Sequence, residues 1–335
     1  MTPKERPPGR KASATAPSCH SSSAAGCRLI PLHVLPSGHI LAEAFGPLFP
    51  SRFIRRQERE AALHTLKTAQ PCKTLRPFVR AYAQRQTEPS DPVTIELCPA
   101  QLEHILHFEL RNKFDIWHSN GRHQISDDIN VIGCQSTFAA YAELKPDLDS
   151  FAIFFQPTGF WRLFNISPCQ LANCGGFEGT SVLGSSVRTL WNQLGESHSF
   201  EQRVHIAEQF LLSHLIEAIE VTAISRVAQH LFHVHGAVPI VALAEASSLG
   251  LRQFERRFQQ DFGMSPKVFA RVARFQAAVD RKIAQPSSRW IDIAQDFGYH
   301  DQMHMIHDFE KLGGEAPAKF LTQLGNMRFT ALSES

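Results

Sequence analysis
The chain has 335 residues, 43% of them hydrophobic and 20% charged, with a formal net charge of +2. That length and apolar content suffice for two packed domains plus a disordered end, and the small net charge by itself points to no partner. No apolar run approaches the roughly 18 residues of a membrane-spanning helix, which predicts a soluble, cytoplasmic protein with no membrane partner. The seven cysteines, at 19, 27, 72, 98, 134, 169 and 174, include no C-x-x-C pair and no Cys/His spacing suited to zinc, so reduced and mostly buried thiols are expected.

Residues 1–50 are rich in Pro, Ser and Ala without a hydrophobic period, which predicts a disordered extension. Residues 51–71 suggest a basic helix and linker, with Ile54, Ala61, Ala62 and Leu66 loosely spaced over Arg52 to Leu66. From residue 72 to 220 the pattern turns to short apolar runs bounded by Pro, Gly, Asn or Asp. Leu75 to Tyr82, Val93 to Cys98, Ile105 to Leu110, Ile129 to Gly133 and Phe151 to Phe155 read as strands, and strands at such intervals argue an antiparallel barrel or sandwich. A short helix is expected from Gly159 to Phe164. Ser199-Phe-Glu-Gln202 reads as a capping box that opens a helix to Ile219, with Val204, Ala207, Phe210, Leu211 and Leu215 as its buried stripe.

Residues 221–321 are helical by period, and 322–335 form a tail. Phe254, Phe258 and Phe262 recur every four residues, making one apolar seam and leaving Arg252, Glu255, Arg256 and Gln259 on other faces. Before them, Ile240 to Leu249 forms a shorter helix with Val241, Leu243 and Ala244 as candidate core. Helix, tight turn and helix with outward arginines is the arrangement that places a reading helix in a major groove. The arrangement recurs: Trp290 to Gly298 is closed by a glycine, and Asp301 to Leu312 keeps Met305, Phe309 and Leu312 in apolar register. Between the units, Ser265-Pro266 starts a longer helix carrying Val268, Phe269, Val272, Phe275 and Val279 on one side. Charge divides between the units: residues 250–289 carry nine Lys/Arg against three acids, residues 290–320 two Lys against six acids, so the first unit supplies most phosphate neutralisation.

The residues Leu243-Ala-Glu, Phe254, Arg256, Phe258, Phe262-Gly-Met-Ser-Pro266, Arg274, Ile293-Ala294, Phe297-Gly-Tyr299, Asp301-Gln302, Phe309 and Pro317 together resemble the paired helix-turn-helix domain of AraC/XylS-type transcriptional regulators. The resemblance implies sequence-specific binding to double-stranded DNA. It places Arg252, Glu255 and Arg256 before bases in the first unit and Gln302, His304, Ile306 and His307 in the second. Two departures stand out: Gly250 replaces the serine that usually opens the first reading helix, and Met305 and His307 replace a Phe and an Arg in the second. Lys267, Arg271 and Arg274 are candidate phosphate contacts. RNA polymerase becomes a further partner if the protein activates transcription.

Upstream, Arg76-Pro-Phe-Val-Arg80, Gly133-Cys-Gln-Ser136, Phe154 to Phe164, Leu183-Gly184 and Phe200 to Val204 resemble the cupin-like sensory domain, of the DUF6597 type, attached to one branch of these regulators. That implies an α+β chain whose β-rich barrel or sandwich senses an unknown small-molecule effector or forms a homodimer, joined to an all-α domain of two helix-turn-helix units. Gln135, Phe154, Phe160, Trp161 and Arg162 are candidate pocket residues, although most buried aromatics are core. No cofactor, metal site or catalytic residue is expected. The alternative is a metal-dependent cupin enzyme with a DNA-binding tail, but His104 and His107 are three apart, which puts them on opposite strand faces or on one helical face, and His118 and His123 fall in a polar loop. Cys134, Cys169 and Cys174 are candidate oxidation sensors if exposed, and the three histidines 300, 304 and 307 predict tighter DNA binding as pH falls.

Overall fold
The computed structural model describes residues 65–215 and 220–323. The expected disordered extension, residues 51–64 of the expected basic helix, and all but the first two residues of the tail lie outside them.

Ten strands form two antiparallel sheets. The larger has the order β1 (Thr65–Ala69), β2 (Val79–Gln86), β9 (Asp149–Phe155), β4 (Ile105–Arg111), β7 (Ile129–Ile132), β10 (Gly176–Glu178). The smaller has the order β3 (Thr94–Cys98), β8 (Ala140–Leu144), β5 (Asp115–His118), β6 (His123–Ile125). Both faces of the larger sheet are covered, which is why its central strands read as nearly continuous apolar runs. Along β4, Leu106 and Phe108 point to one side, while Ile105, His107 and Glu109 point to the other. The first face, with Phe151, Ile153 and Phe155 of β9, packs against the helices α1 (Gly159–Phe164), α3 (Ser186–Glu196) and α4 (Phe200–Ser213); α2 (Gly179–Leu183) leads into α3. The second face looks toward the smaller sheet across a cavity.

Several sequence expectations shift. The run from Leu75 bends before it extends: Phe78 and Val79 both donate to the Leu75 carbonyl, and only from Val79 onward does the chain enter the sheet, past Pro77, which has no N–H for a ladder. The end of the expected basic helix is strand β1, paired residue for residue with β2. His118 and His123 sit on a β5–β6 hairpin rather than in a loop. Helix α4 opens as its cap foretells, with Ser199 Oγ accepting from Gln202 N at 3.2 Å, but Gln202 Oε1 accepts from His198 N rather than from Ser199 N. Inside its apolar stripe lies Arg203, 5% exposed, which forks onto Asp149 of β9 at 2.7 and 2.8 Å and also donates to Gln84 and the Leu194 carbonyl. A fully partnered guanidinium of this kind fixes the register between helix and sheet, since any slip strands a buried charge.

The C-terminal helices are α5 (Ala223–His233), α6 (Ile240–Ala246), α7 (Leu251–Phe262), α8 (Pro266–Ala284), α9 (Trp290–Asp296), α10 (Gln302–Gly313) and α11 (Pro317–Gln323). Phe254, Phe258 and Phe262 are all buried, as are Met305, Phe309 and Leu312, so both periodic seams face the core. Val241 does not: it is 53% exposed, and Leu243 and Ala244 alone anchor the seven-residue α6. The core of these helices does not end with them. It runs on into Leu97, Ala100, Leu102, Cys134 and Ala172 of the β-rich part, so the two parts share one apolar interior.

Candidate nucleic-acid interface and effector cavity
Each short helix pair is set by its turn. Ser248 adopts a left-handed backbone between α6 and α7, and Gly298 does the same between α9 and α10. Gly250 caps α7 without a side-chain hydrogen bond, whereas Asp301 caps α10, its Oδ1 accepting from His304 N at 2.7 Å. With the phenylalanine seam turned inward, α7 presents Arg252, Glu255 and Arg256 to solvent. Among the described residues neither arginine has an ion-pair partner, while neighbouring Arg257 is held by Asp261 four residues on. On α10, Gln302, His304 and His307 are exposed and Ile306 is half-buried. Here acids intrude: His307 lies 3.5 Å from Glu310 and His300 3.0 Å from Asp301.

The three candidate phosphate contacts separate. Lys267 is exposed at the start of α8. Arg271 instead turns onto α10, where it donates through Nε and Nη2 to Asp308, a carboxylate 1% exposed. Arg274 lies over the Tyr299 ring at 5.4 Å, with its Nε buried. Both arginines therefore clamp the second unit to α8, because a buried Asp308 and a ring face offer their guanidinium groups stronger partners than solvent does.

The second unit also grips the β-rich part. The last carbonyls of α10, which no helical N–H can reach, accept from the sheet side: Leu312 O from Ala100 N at 2.7 Å and Lys311 O from Phe138 N at 3.1 Å. At the end of α7, Gly263 has a φ of +69°, and a side chain there would strike Ala172 at 2.5 Å. Gln276 of α8 reaches furthest, donating to Glu103 Oε2 at 2.6 Å and accepting from Leu102 N at 3.2 Å; Glu103 in turn binds Arg80.

Gln276 and Glu103 line one end of the cavity between the sheets, about 220 Å³ in volume. Small residues make the room: Ala83, Ala152, Ala140 and Ala142 face one another across it. Its polar lining includes Arg85, His107, Glu109, His118 and Asn130, and its apolar wall includes Ile105, Phe114, Ile116 and Phe154. Arg85 crosses to the smaller sheet and binds Glu96 at 2.6 Å, leaving its Nη2 buried without a hydrogen bond. Neither carboxylate oxygen of Glu109 has a well-formed hydrogen bond. His107 Nδ1 stands 3.3 Å from Oε1, and burial, only partly offset by that imidazole, raises the Glu109 pKa.

Of the residues expected to form a pocket, Gln135 and Phe154 line this cavity, and Phe160, Trp161 and Arg162 do not. Phe160 is sealed in the core, stacked on His104 at 5.5 Å, and Arg162 covers the Phe78 ring at 4.2 Å. They lie on α1, on the far side of the larger sheet. Sequence reasoning missed the cavity role of Arg85, Glu109, His118 and Gln276. The signal available was the alternation in β4, where His107 and Glu109 interrupt every second position of an otherwise apolar strand. Among the described residues no group of three or more His, Cys, Asp and Glu is arranged to hold a metal ion. The thiols of Cys98 and Cys134 are buried and pushed up to about 12, so neither is a reactive thiolate.

With this geometry in hand, residues 243–323 match the family model of a helix-turn-helix domain. This stretch of the C-terminal part is therefore a helix-turn-helix domain. A domain of this kind places a helix in the major groove of DNA. No curated protein matches the sequence. Among solved structures, the chain is similar to ToxT from Vibrio cholerae O395, with 10% identity and a TM-score of 0.43 over 75% of this chain and 100% of that one. It is similar also to unsaturated fatty acid bound ToxT from V. cholerae strain SCE256, at 8% identity and a TM-score of 0.43 over 81% of this chain and 99% of that one. The AraC-like transcriptional activator CuxR has 10% identity and a TM-score of 0.25, over 67% of this chain and 87% of its own. No helix among the described residues is long and apolar enough to cross a membrane.

Proposed function
We propose that the protein is a sequence-specific, AraC/XylS-type regulator in which α7 reads bases through Arg252, Glu255 and Arg256, and in which occupancy of the inter-sheet cavity biases how the helices engage DNA. The observation that supports it best is the α7 helix itself. Its three phenylalanines are buried to 2% exposure or less, while Arg252 and Arg256 stand on the opposite side in solvent, without ion-pair partners among the described residues. A bidentate arginine on guanine discriminates by about 1–3 kcal/mol, which is enough to specify a position. On the second unit Gln302, His304, Ile306 and His307 face outward beside acids, so α10 contributes contacts of shape and position more than charge. Lys267 serves as a phosphate contact; Arg271 and Arg274 hold the units in register. The protein acts as a cytoplasmic regulator and not as an enzyme, with a small-molecule effector, RNA polymerase and a second copy of the chain as its further partners.

The test is a genomic binding-site selection on the purified full chain, repeated with Arg256→Ala at fixed salt. A compact motif that relaxes at one position in the variant is the expected result. Salt-sensitive binding with no motif, barely altered by the substitution, would show that the helices hold phosphates only.

A further inference from the structure
Resting on the reading of the β-rich part as an effector domain, we infer that the inter-sheet cavity takes an apolar α-amino acid, its ammonium group bound by Glu109, its carboxylate by Arg85 and its side chain against Ile105, Phe114, Ile116 and Phe154. The two polar anchors lie on one crosswise row of the larger sheet. Arg85 of β2 pairs with Ser150 of β9, and Glu109 of β4 pairs with the same Ser150 from its other side. Both side chains point into the cavity, and each is nine-tenths or more buried with polar atoms unmatched: Nη2 of Arg85, and Oε1 and Oε2 of Glu109. A head group lying across Ser150 therefore meets an acceptor on one side and a donor on the other. Adjacent ammonium and carboxylate groups are the smallest chemistry that satisfies both.

Charge bookkeeping in the cavity favours the same ligand over a simple carboxylic acid. Arg85 is already matched by Glu96, and Arg80 by Glu103 and Asp280, whereas among the described residues the carboxyl of Glu109 has no arginine or lysine ion pair and meets only the His107 imidazole, 3.3 Å from Oε1. A lone carboxylate placed here would add a second anion to a buried site. A zwitterion adds no net charge and supplies the cation that Glu109 needs to ionise in the interior. The alanines at 83, 140, 142 and 152 leave room for one aliphatic or aromatic side chain. The wall next to the cavity also includes Gln276 of α8, so the ligand's neighbour on that side belongs to the helix that joins the two DNA-reading units.

The experiment is titration calorimetry of the full chain with L-leucine, L-phenylalanine and decanoate, on the wild type, Glu109→Gln and Ala142→Leu. Glu109→Gln keeps the shape and removes the charge; Ala142→Leu fills the cavity from the opposite sheet. Leucine or phenylalanine is expected to bind the wild type, about tenfold or more weaker in Glu109→Gln because a charge-assisted hydrogen bond is lost, and not detectably in Ala142→Leu. Decanoate tighter than both amino acids, equal amino-acid affinity in Glu109→Gln, or no binding of either amino acid would each overturn the inference. DNA selection on the same preparations keeps the two readings apart. A motif without amino-acid binding removes only the ligand, and amino-acid binding without a motif removes only the regulator.

Discussion

Arg271 distinguishes what a basic residue on α8 looks like in sequence from what it does in the fold. Replacing it with alanine leaves Asp308, 1% exposed and with its second oxygen already unpartnered, as a buried carboxylate without a counter-ion. Breaking a buried pair in this way costs roughly 3–5 kcal/mol. The low end, about 3 kcal/mol, fits here because the Arg271 side chain is 27% exposed and water already shares in the pair. A urea titration of Arg271→Ala should therefore show a lower midpoint at unchanged slope. DNA binding measured against salt, under conditions where the variant is folded, should keep the wild-type slope. Lys267→Ala should do the reverse: stability within about 0.5 kcal/mol of wild type, and a salt slope smaller by about one unit, as one lost phosphate contact requires. The double substitution Arg271→Met with Asp308→Leu should recover most of the lost stability, since an apolar pair has no charge to strand. If Arg271→Ala lowers the salt slope by a full unit while the urea midpoint stays put, the guanidinium contacts DNA and the clamp is refuted.

A further outcome follows from a titrating group. His104 is buried beneath Phe160 and its pKa is lowered by desolvation to about 4, against the ordinary 6.5. As pH falls from 6.5 to 4 the unfolded chain takes up this proton and the native protein does not, so about 3 kcal/mol of stability is lost over that window and none above it. His104→Leu should lack that component in the difference between unfolding free energies at pH 7 and pH 4, and parallel profiles for the two proteins would contradict the assignment.

The helices were the legible part because their signal is local. A phenylalanine every four residues can only be one helix face, and a glycine at 263 followed by Ser-Pro marks one helix ending and another beginning, as α7 and α8 show. Strand β8 was hidden for the opposite reason. Ala140-Tyr-Ala-Glu-Leu144 is made largely of helix formers, and only pairing with β3 on one side and β5 on the other holds it extended. Val241 shows how little a seven-residue helix constrains its own face, since Leu243 and Ala244 suffice to seat it. The cavity could not be read at all as a unit. Its space comes from alanines on three different strands, and its anchors, Arg85 and Glu109, lie far enough apart in sequence that only the strand order β2-β9-β4 brings them to one row. Arg271 and Asp308 failed to announce themselves for the same reason: nothing local marks a carboxylate on α10 as the partner of a guanidinium on α8.

The shared interior has a consequence for how the chain is made. Synthesis delivers the β-rich part first, and Leu97, Ala100, Leu102, Cys134 and Ala172 then have no helices to cover them. At about 5–20 residues per second the ribosome needs several seconds or more to supply α7 to α11. During that interval a flank that is interior in the finished protein is surface, open to chaperones or to a neighbouring nascent chain. Fragments cut at the seam would keep that exposure for good, which makes the whole chain, rather than either half, the form in which to handle this protein.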